Sequence, residues 1–306
     1  MKVFVAGATG VLGKRAVAQL VAAGHEVTGV ARSEEKADLV RSLGAAPVSV
    51  DVFDAAAVKA AVDGHDVVIN LTTHIPPMSK AALPGAWAEN DRIRSEASRN
   101  LVDGALATGA SRYVQESIAF MYPDSGDQWL DEDVTPDPPE LGDSVLAAEA
   151  QTRRFTEGGG TGVVLRFGQF YAPEASHTIA MVKATKRHIA PVLGSKDAYV
   201  SMIDADDAGR AVVAALQAPA GTFNVTDDEP VTRDEFASIA ADAIGVKRAR
   251  TLPAGLAKLS GKNGRFMMRS QRVSNQRFKQ ATGWTPSHRS LREGWPVVAA
   301  AAMKEI

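Results

Sequence analysis

Met1-Lys2-Val3-Phe4-Val5-Ala6-Gly7-Ala8-Thr9-Gly10-Val11-Leu12-Gly13 is the stretch that decides the fold. Val3 to Ala6 form a short apolar run with β-branched character, which fits a strand buried in a parallel sheet. A glycine-rich turn follows, and from Lys14 to about Ala23 the pattern is helical. Strand, glycine turn and helix in that order are the setting of a dinucleotide-phosphate site. Gly7 lets the chain turn sharply out of the strand. Gly10 removes a Cβ, so that the backbone can approach a pyrophosphate, and Gly13 lets the helix pack close to the sheet. The free N–H groups of the first helical turn, and the helix dipole, then face the phosphates. The plain alternative is a tight βα turn that binds nothing.

The rest of the first half repeats this alternation. Strand-like runs fall at Lys2–Ala6, Glu26–Ala31, Ala46–Val50, Val67–Asn70, Tyr113–Glu116 and Val163–Phe167. Helix-like runs fall at Lys14–Ala23, Glu34–Leu43, Ala55–Val62, Asp91–Thr108 and Ser144–Glu157. Such alternation predicts an α/β, doubly wound parallel sheet with ligands at the carboxyl ends of its strands. The second strand ends in Ala31-Arg32-Ser33, with Lys36 a turn later, where an NAD site usually has Asp or Glu. A guanidinium can grip a 2′-phosphate in bidentate fashion, so Arg32 favours NADP, with NAD as the alternative. A solvated basic loop is the other reading.

Composition narrows the function. The 306 residues suit one large domain, or one with a small second domain. A net charge of −2 gives no broad electrostatic case for nucleic acid or an anionic membrane. With no cysteine, disulfides, thiolate catalysis and cysteine-bound zinc are excluded. No H-E-x-x-H or close His/Asp cluster suggests a metal, and no G-x-S-x-G elbow suggests a serine hydrolase. The opening apolar run is too short for a signal or a membrane span, so a cytoplasmic location is expected.

The glycine spacing is G-x-x-G-x-x-G, and Gly7-Ala8-Thr9-Gly10-Val11-Leu12-Gly13 resembles the extended and atypical branches of the short-chain dehydrogenase/reductase superfamily. The resemblance implies a Rossmann fold and a nicotinamide dinucleotide held by Gly7, Thr9, Gly10, Val11, Leu12, Gly13 and Arg32. It further implies Asp51 and Val52 at the adenine, and Leu71, Thr72 and Thr73 behind the nicotinamide ribose. As plain chemistry, Asp51 equally suits a cap on the following helix. Later segments also resemble the extended branch: Val200–Ala208, Gly221–Val225, Val231–Gly245 and Gly283–Pro286. Residues 1–167 with 199–225 would then form the nucleotide domain. Residues 168–198 with 226–306 would form a small interleaved substrate domain. A small-molecule substrate follows from the same likeness, and pairing of subunits through the long helices would make a homodimer.

One part of the pattern is missing. The superfamily's hydride chemistry uses a Tyr and a Lys four residues apart on one helix, plus a Ser or Thr. A phenol with a pKa of ~10 needs a neighbouring cation before it exchanges protons at neutral pH. The family's Tyr-x-x-Ser-Lys-x-x-x-Glu pattern matches here at Ser144 and Glu149, which puts Leu141 at the tyrosine place and Val145 at the lysine place. No register rescues the pair. The tyrosines are Tyr113, Tyr122, Tyr171 and Tyr199, and four residues beyond them stand Ser117, Gly126, Ala175 and Ile203. The third member falls at Ile118, with Ser117 one residue away and, in a regular strand, on the opposite face.

Tyr122, His177 and Ser117 are the candidate catalytic residues that remain, with Tyr171 and His74 as further groups near the expected carboxyl-edge loops. An imidazole with a pKa near ~6.5 trades protons at neutral pH, although loop histidines such as His74 and His177 are often merely solvated. Three outcomes compete. Hydride transfer proceeds with another proton donor, the site does non-redox chemistry, or the protein binds NADP without turnover. Two features lie outside this frame. Asp131–Pro139, with Trp129 just before it, is either a lid-like loop or a solvated connection. Arg265, Arg269 and Arg272 share one face if the segment is helical, where they would meet phosphates of a substrate or simply solvent.

Overall fold

The computed structural model describes residues 1–306 apart from 77–82, 84, 139–141, 192–193 and 248–267. Along the chain run β1 (Lys2–Ala6), α1 (Val11–Ala22), β2 (Glu26–Val30), α2 (Glu34–Ser42), β3 (Ala46–Val48), α3 (Ala55–Val62) and β4 (Val67–Asn70). There follow α4 (Ala88–Arg92), a wider π-type turn (Ile93–Ala97) that carries the same helix on into α5 (Ser98–Thr108), β5 (Arg112–Ile118) and β6 (Trp129–Leu130). Next come α6 (Asp143–Glu157), β7 (Thr161–Phe167), β8 (Gln169–Tyr171), α7 (Ser176–Lys186), β9 (Tyr199–Val200), β10 (Met202–Asp204), α8 (Ala205–Ala214) and β11 (Gly221–Val225). After β12 (Val231–Thr232), α9 (Arg233–Ala243) and β13 (Arg272–Val273), two helices at Gln276–Thr282 and Leu291–Ala302 complete the order.

Seven strands form one parallel sheet in the order β11-β7-β5-β4-β1-β2-β3. The chain builds outward from β1 through β2 to β3, then returns to β4 on the other side. That reversal puts the switch point between β1 and β4, at whose carboxyl edge doubly wound sheets generally bind their ligands. Both faces are covered, as an all-parallel sheet requires. Val3, Val5, Ile69, Val114 and Leu165 face α1, α2 and α8. Phe4, Val68 and Tyr113 face α3, α5 and α6. The fold is thus the Rossmann-type doubly wound sheet that the alternation predicts.

Some boundaries differ from expectation, for local reasons. α1 begins at Val11, because Gly10 already serves as its N-cap. β3 is shorter than Ala46–Val50 and contains Pro47, which an edge strand tolerates. Arg272 lies in β13 and Arg269 in irregular chain, so the two do not share a helical face; Arg265 lies outside the described residues. Arg269 instead pairs with Asp137 (2.7 Å) and donates to the Tyr122 carbonyl (3.0 Å). Trp129 stands about half exposed (49%) with the Arg272 guanidinium over its ring at 4.2 Å.

A second apolar cluster gathers Tyr171, Val182, Met202, Phe236, Leu291 and Trp295 from β8, α7, β10, α9 and the last helix. Phe278 and Trp284 belong instead to the core beneath the main sheet, so the C-terminal stretch serves both clusters. α9 starts at a capping box formed by Thr232 and Glu235, each accepting the other's backbone N–H.

Candidate cofactor and substrate site

The glycines of the first turn answer to different constraints. Gly7 adopts φ +82°, and a Cβ there would lie 2.6 Å from the Leu71 carbonyl group. A Cβ on Gly13 would lie 1.9 Å from the Gly7 oxygen. Both positions therefore reject any side chain. At Gly10 the nearest atom to a Cβ is 3.5 Å away, so packing does not demand glycine there. No side chain caps α1, and its Lys14 N–H is the one that reaches the Gly10 carbonyl (3.1 Å). The preceding N–H groups at Val11, Leu12 and Gly13 thus belong to an uncapped helix start beside an open approach at Gly10. This is the chemistry that accommodates a phosphate anion.

The other expected cofactor contacts follow the carboxyl ends of β2, β3 and β4. Arg32 is exposed at the end of β2; nearby Glu34 is taken by Arg41 (2.7 Å), while Ser33 caps α2. Asp51 does not cap α3. Asp54 does so, accepting from Ala56 and Ala57 (3.0 Å each), while Asp51 turns back to Phe53 N–H (3.0 Å) and remains exposed. Val52 is buried beside it. Leu71 is buried, Thr73 is exposed, and Thr72 donates through both its backbone N–H and its hydroxyl to the Asn70 amide oxygen. Asn70 in turn donates to Ser98 (3.1 Å) and Gln115 (3.0 Å), which locks the end of β4 to α5 and β5.

Ser117 and Tyr122 meet in one buried network. Ser117 Oγ donates to Glu149 Oε1 (2.7 Å), and Arg166 clamps both oxygens of that carboxylate (2.8 and 2.7 Å). Arg166 Nη1 also donates to the Tyr122 hydroxyl (3.0 Å), which donates to Asn224 (2.9 Å). All five side chains are buried. Burial works against the Arg166 charge, yet paired Glu149 more than offsets it and holds the guanidinium pKa above its ordinary value. Burial also pushes the Tyr122 phenol up, against the pull of Arg166. This phenol is neutral and bonded on both sides.

His177 stands one residue into α7 with Nε2 2.6 Å from the Phe170 carbonyl. Tyr171 is buried and donates to Asp227 (3.1 Å); burial, then that carboxyl, raise its pKa. His74 is exposed after β4, its N–H bonded to Asn90 (3.1 Å) and its ring 3.6 Å from Glu89. The fold therefore brings Ser117 and Tyr122 together and leaves His74 and His177 on separate segments. Where the usual trio would stand, Ile118 is half-buried and Val145 is buried, while Leu141 lies outside the described residues. Ser144 donates to Asp91 (2.7 Å).

Two buried features had no local signal in the sequence. Arg94, on the π-type turn, pairs with Glu116 of β5 at 2.9 Å, and both are buried. Glu132 accepts the backbone N–H of Asn224 (2.7 Å), which ties the acidic Pro-rich stretch to the sheet. Partners 22 and 92 residues apart leave no spacing to read.

Residues 3–226 match the NAD dependent epimerase/dehydratase family. The chain belongs to that family. Within it, the chain is 35% identical over 310 residues to a Streptomyces 3-diazoavenalumate denitrifying reductase, covering 96% of this chain and 99% of the relative. Among solved structures, human epimerase family protein SDR39U1 with NADPH superposes with a TM-score of 0.82 at 21% identity over 99% of each chain. MoeE5 in complex with UDP-glucose and NAD superposes at 0.81 and 20% identity, over 100% of this chain and 99% of that one. Such likenesses bear out the Rossmann-type fold.

Proposed function

We propose that the protein is an NADP(H)-dependent reductase of a small electrophile whose reduction needs no phenolic proton donor. One observation carries this reading: the phosphate-binding turn is intact, while the positions that would handle the proton hold aliphatic side chains. In this reading the Gly7–Gly13 turn and the start of α1 hold the pyrophosphate. Arg32 meets the 2′-phosphate, Asp51 and Val52 the adenine, and Leu71, Thr72 and Thr73 the nicotinamide ribose. A bound reduced nicotinamide supplies hydride.

The acceptor decides what the chain must add. A ketone becomes an alkoxide and needs a proton at its oxygen, which Ile118 and Val145 do not provide. An aryl diazonium balances without one: hydride arrives, the carbon–nitrogen bond breaks, and arene and dinitrogen leave. The Streptomyces relative carries a name of this kind, a denitrifying reductase of a diazo compound. An activated alkene is the next case, since the carbanion it forms is stabilised and takes its proton from solvent. Ser117 and Tyr122 then serve as frame, and His177 is the titratable group left for any proton step.

The test uses NADPH carrying deuterium at C4 and a panel of ketones, enones and aryl diazonium salts. Deuterium in an arene or a saturated enone supports the proposal, and deuterium only in alcohols overturns it. Tight NADPH binding with no transfer to any acceptor favours a binding protein without redox turnover.

A further inference from the structure

The turn after β8 folds back against the glycine turn. Ala172 and Ala175 pack with Val11, the first residue of α1, and with Ala205 at the start of α8. Between them, Glu174 reaches the cations that follow Gly13. Its Oε1 accepts from Arg15 Nη1 (2.6 Å) and sits 2.8 Å from Lys14 Nζ, and its Oε2 accepts from Arg15 Nη2 (3.2 Å). Arg15 is itself fixed, donating to the Val11 carbonyl (2.9 Å) and to Asp206 (2.5 Å). Partial burial works against the Glu174 charge, yet Arg15 and Lys14 together hold its carboxyl down at about 2. The contact is therefore ionised across the whole working pH range. A half-buried, bidentate guanidinium–carboxylate pair resists opening better than an exposed one.

We propose that Glu174 is a cofactor-positioning residue. It pins residues 172–175 onto the first turn of α1, so that this segment walls the pyrophosphate site and limits how fast the dinucleotide leaves. The inference rests on the cofactor reading above. A different role for the same geometry makes the opposite prediction. If Glu174 only neutralised Lys14 and Arg15, its removal would free Lys14, with Arg15 still held by Asp206, for the phosphates, and binding would tighten.

The experiment measures NADPH and NADH release by stopped-flow displacement from the full-length wild type, E174A, E174Q and K14M. Release should speed up by about tenfold in E174A, and less in E174Q and K14M, which each keep part of the contact. Both dinucleotides should be affected alike, because they share the pyrophosphate. Unchanged release with a lowered melting temperature would make Glu174 merely structural, and slower release would make it a counter-charge; either overturns the proposal. Should E174A fail to fold, E174Q and K14M decide the matter by the same criterion. A wild type that binds neither dinucleotide overturns the cofactor reading as well, whereas wild-type binding with unaltered variants overturns this inference alone.

Discussion

Replacing Asp227 by Asn should stabilise the protein increasingly as pH rises. Asp227 is 3% exposed; its Oδ2 accepts from Tyr171 (3.1 Å), and its Oδ1 has no hydrogen-bond partner among the described residues. Asp204 and Asp207 lie close enough to repel a charge on it, and the cations nearby are engaged elsewhere: Arg210 with Asp207, and His288, when protonated, with Asp204. Burial first, and these two carboxyls next, raise the Asp227 pKa well above its ordinary value. In the unfolded chain it titrates near ~3.9. A raised carboxyl binds its proton more tightly in the folded state. Its contribution is therefore fully present below the unfolded pKa and drains away as pH climbs to the folded one. The slope in that interval is about 1.4 kcal/mol per pH unit for one proton, after which the curve levels off. Asn keeps the shape and an acceptor for Tyr171 but cannot ionise. The stability difference between D227N and wild type should thus widen by about 1.4 kcal/mol for each pH unit between the unfolded and the folded pKa, and then level off. Urea and thermal unfolding of both proteins at pH 5, 6, 7 and 8 would measure it. Parallel stability–pH curves would refute the argument, because a carboxyl with an unshifted pKa contributes no such slope.

Glu149→Gln should cost about 3–5 kcal/mol in urea unfolding, since it strands the buried Arg166 guanidinium. Tyr122→Phe leaves Asn224 and one Arg166 nitrogen short of a partner and should cost about 1–3 kcal/mol. Deuterium transfer from NADPH should survive in that variant, and its loss at unchanged stability would make Tyr122 the proton donor. Arg32→Ala should weaken NADPH far more than NADH in a fluorescence titration, and equal losses would remove the 2′-phosphate role. Gly13→Ala should abolish binding of both dinucleotides and lower the melting temperature, because the new methyl overlaps the Gly7 carbonyl.

The glycine turn was readable because its determinants are local. Gly7, Gly10 and Gly13 lie within seven residues, and the two clashes that forbid side chains at Gly7 and Gly13 come from the same turn and the neighbouring strand end. The loss of the acid/base trio was equally plain, since no lysine stands four residues after any tyrosine. What Ser117 and Tyr122 do instead was hidden. Spacing puts Ser117 on the face opposite the expected hydroxyl, but only packing shows that this face meets Glu149 on α6 and, through Arg166 on β7, the Tyr122 ring. Asp51 shows the same limit: its helix-capping reading failed because Asp54 stood nearer the helix start.

Periodicity, glycine placement and residue absence are properties of a short window, so the linear chain alone settled the doubly wound sheet, the glycine turn after its first strand and the missing phenol–ammonium pair. Pairings such as Arg94 with Glu116, Glu174 with Lys14 and Arg15, and Asp227 with Tyr171 join segments 22 to 160 residues apart. No local pattern encodes them, because burial and the crossing of helices over the sheet edge choose the partners. The tertiary structure therefore decided which polar groups are locked inside and which remain at the surface.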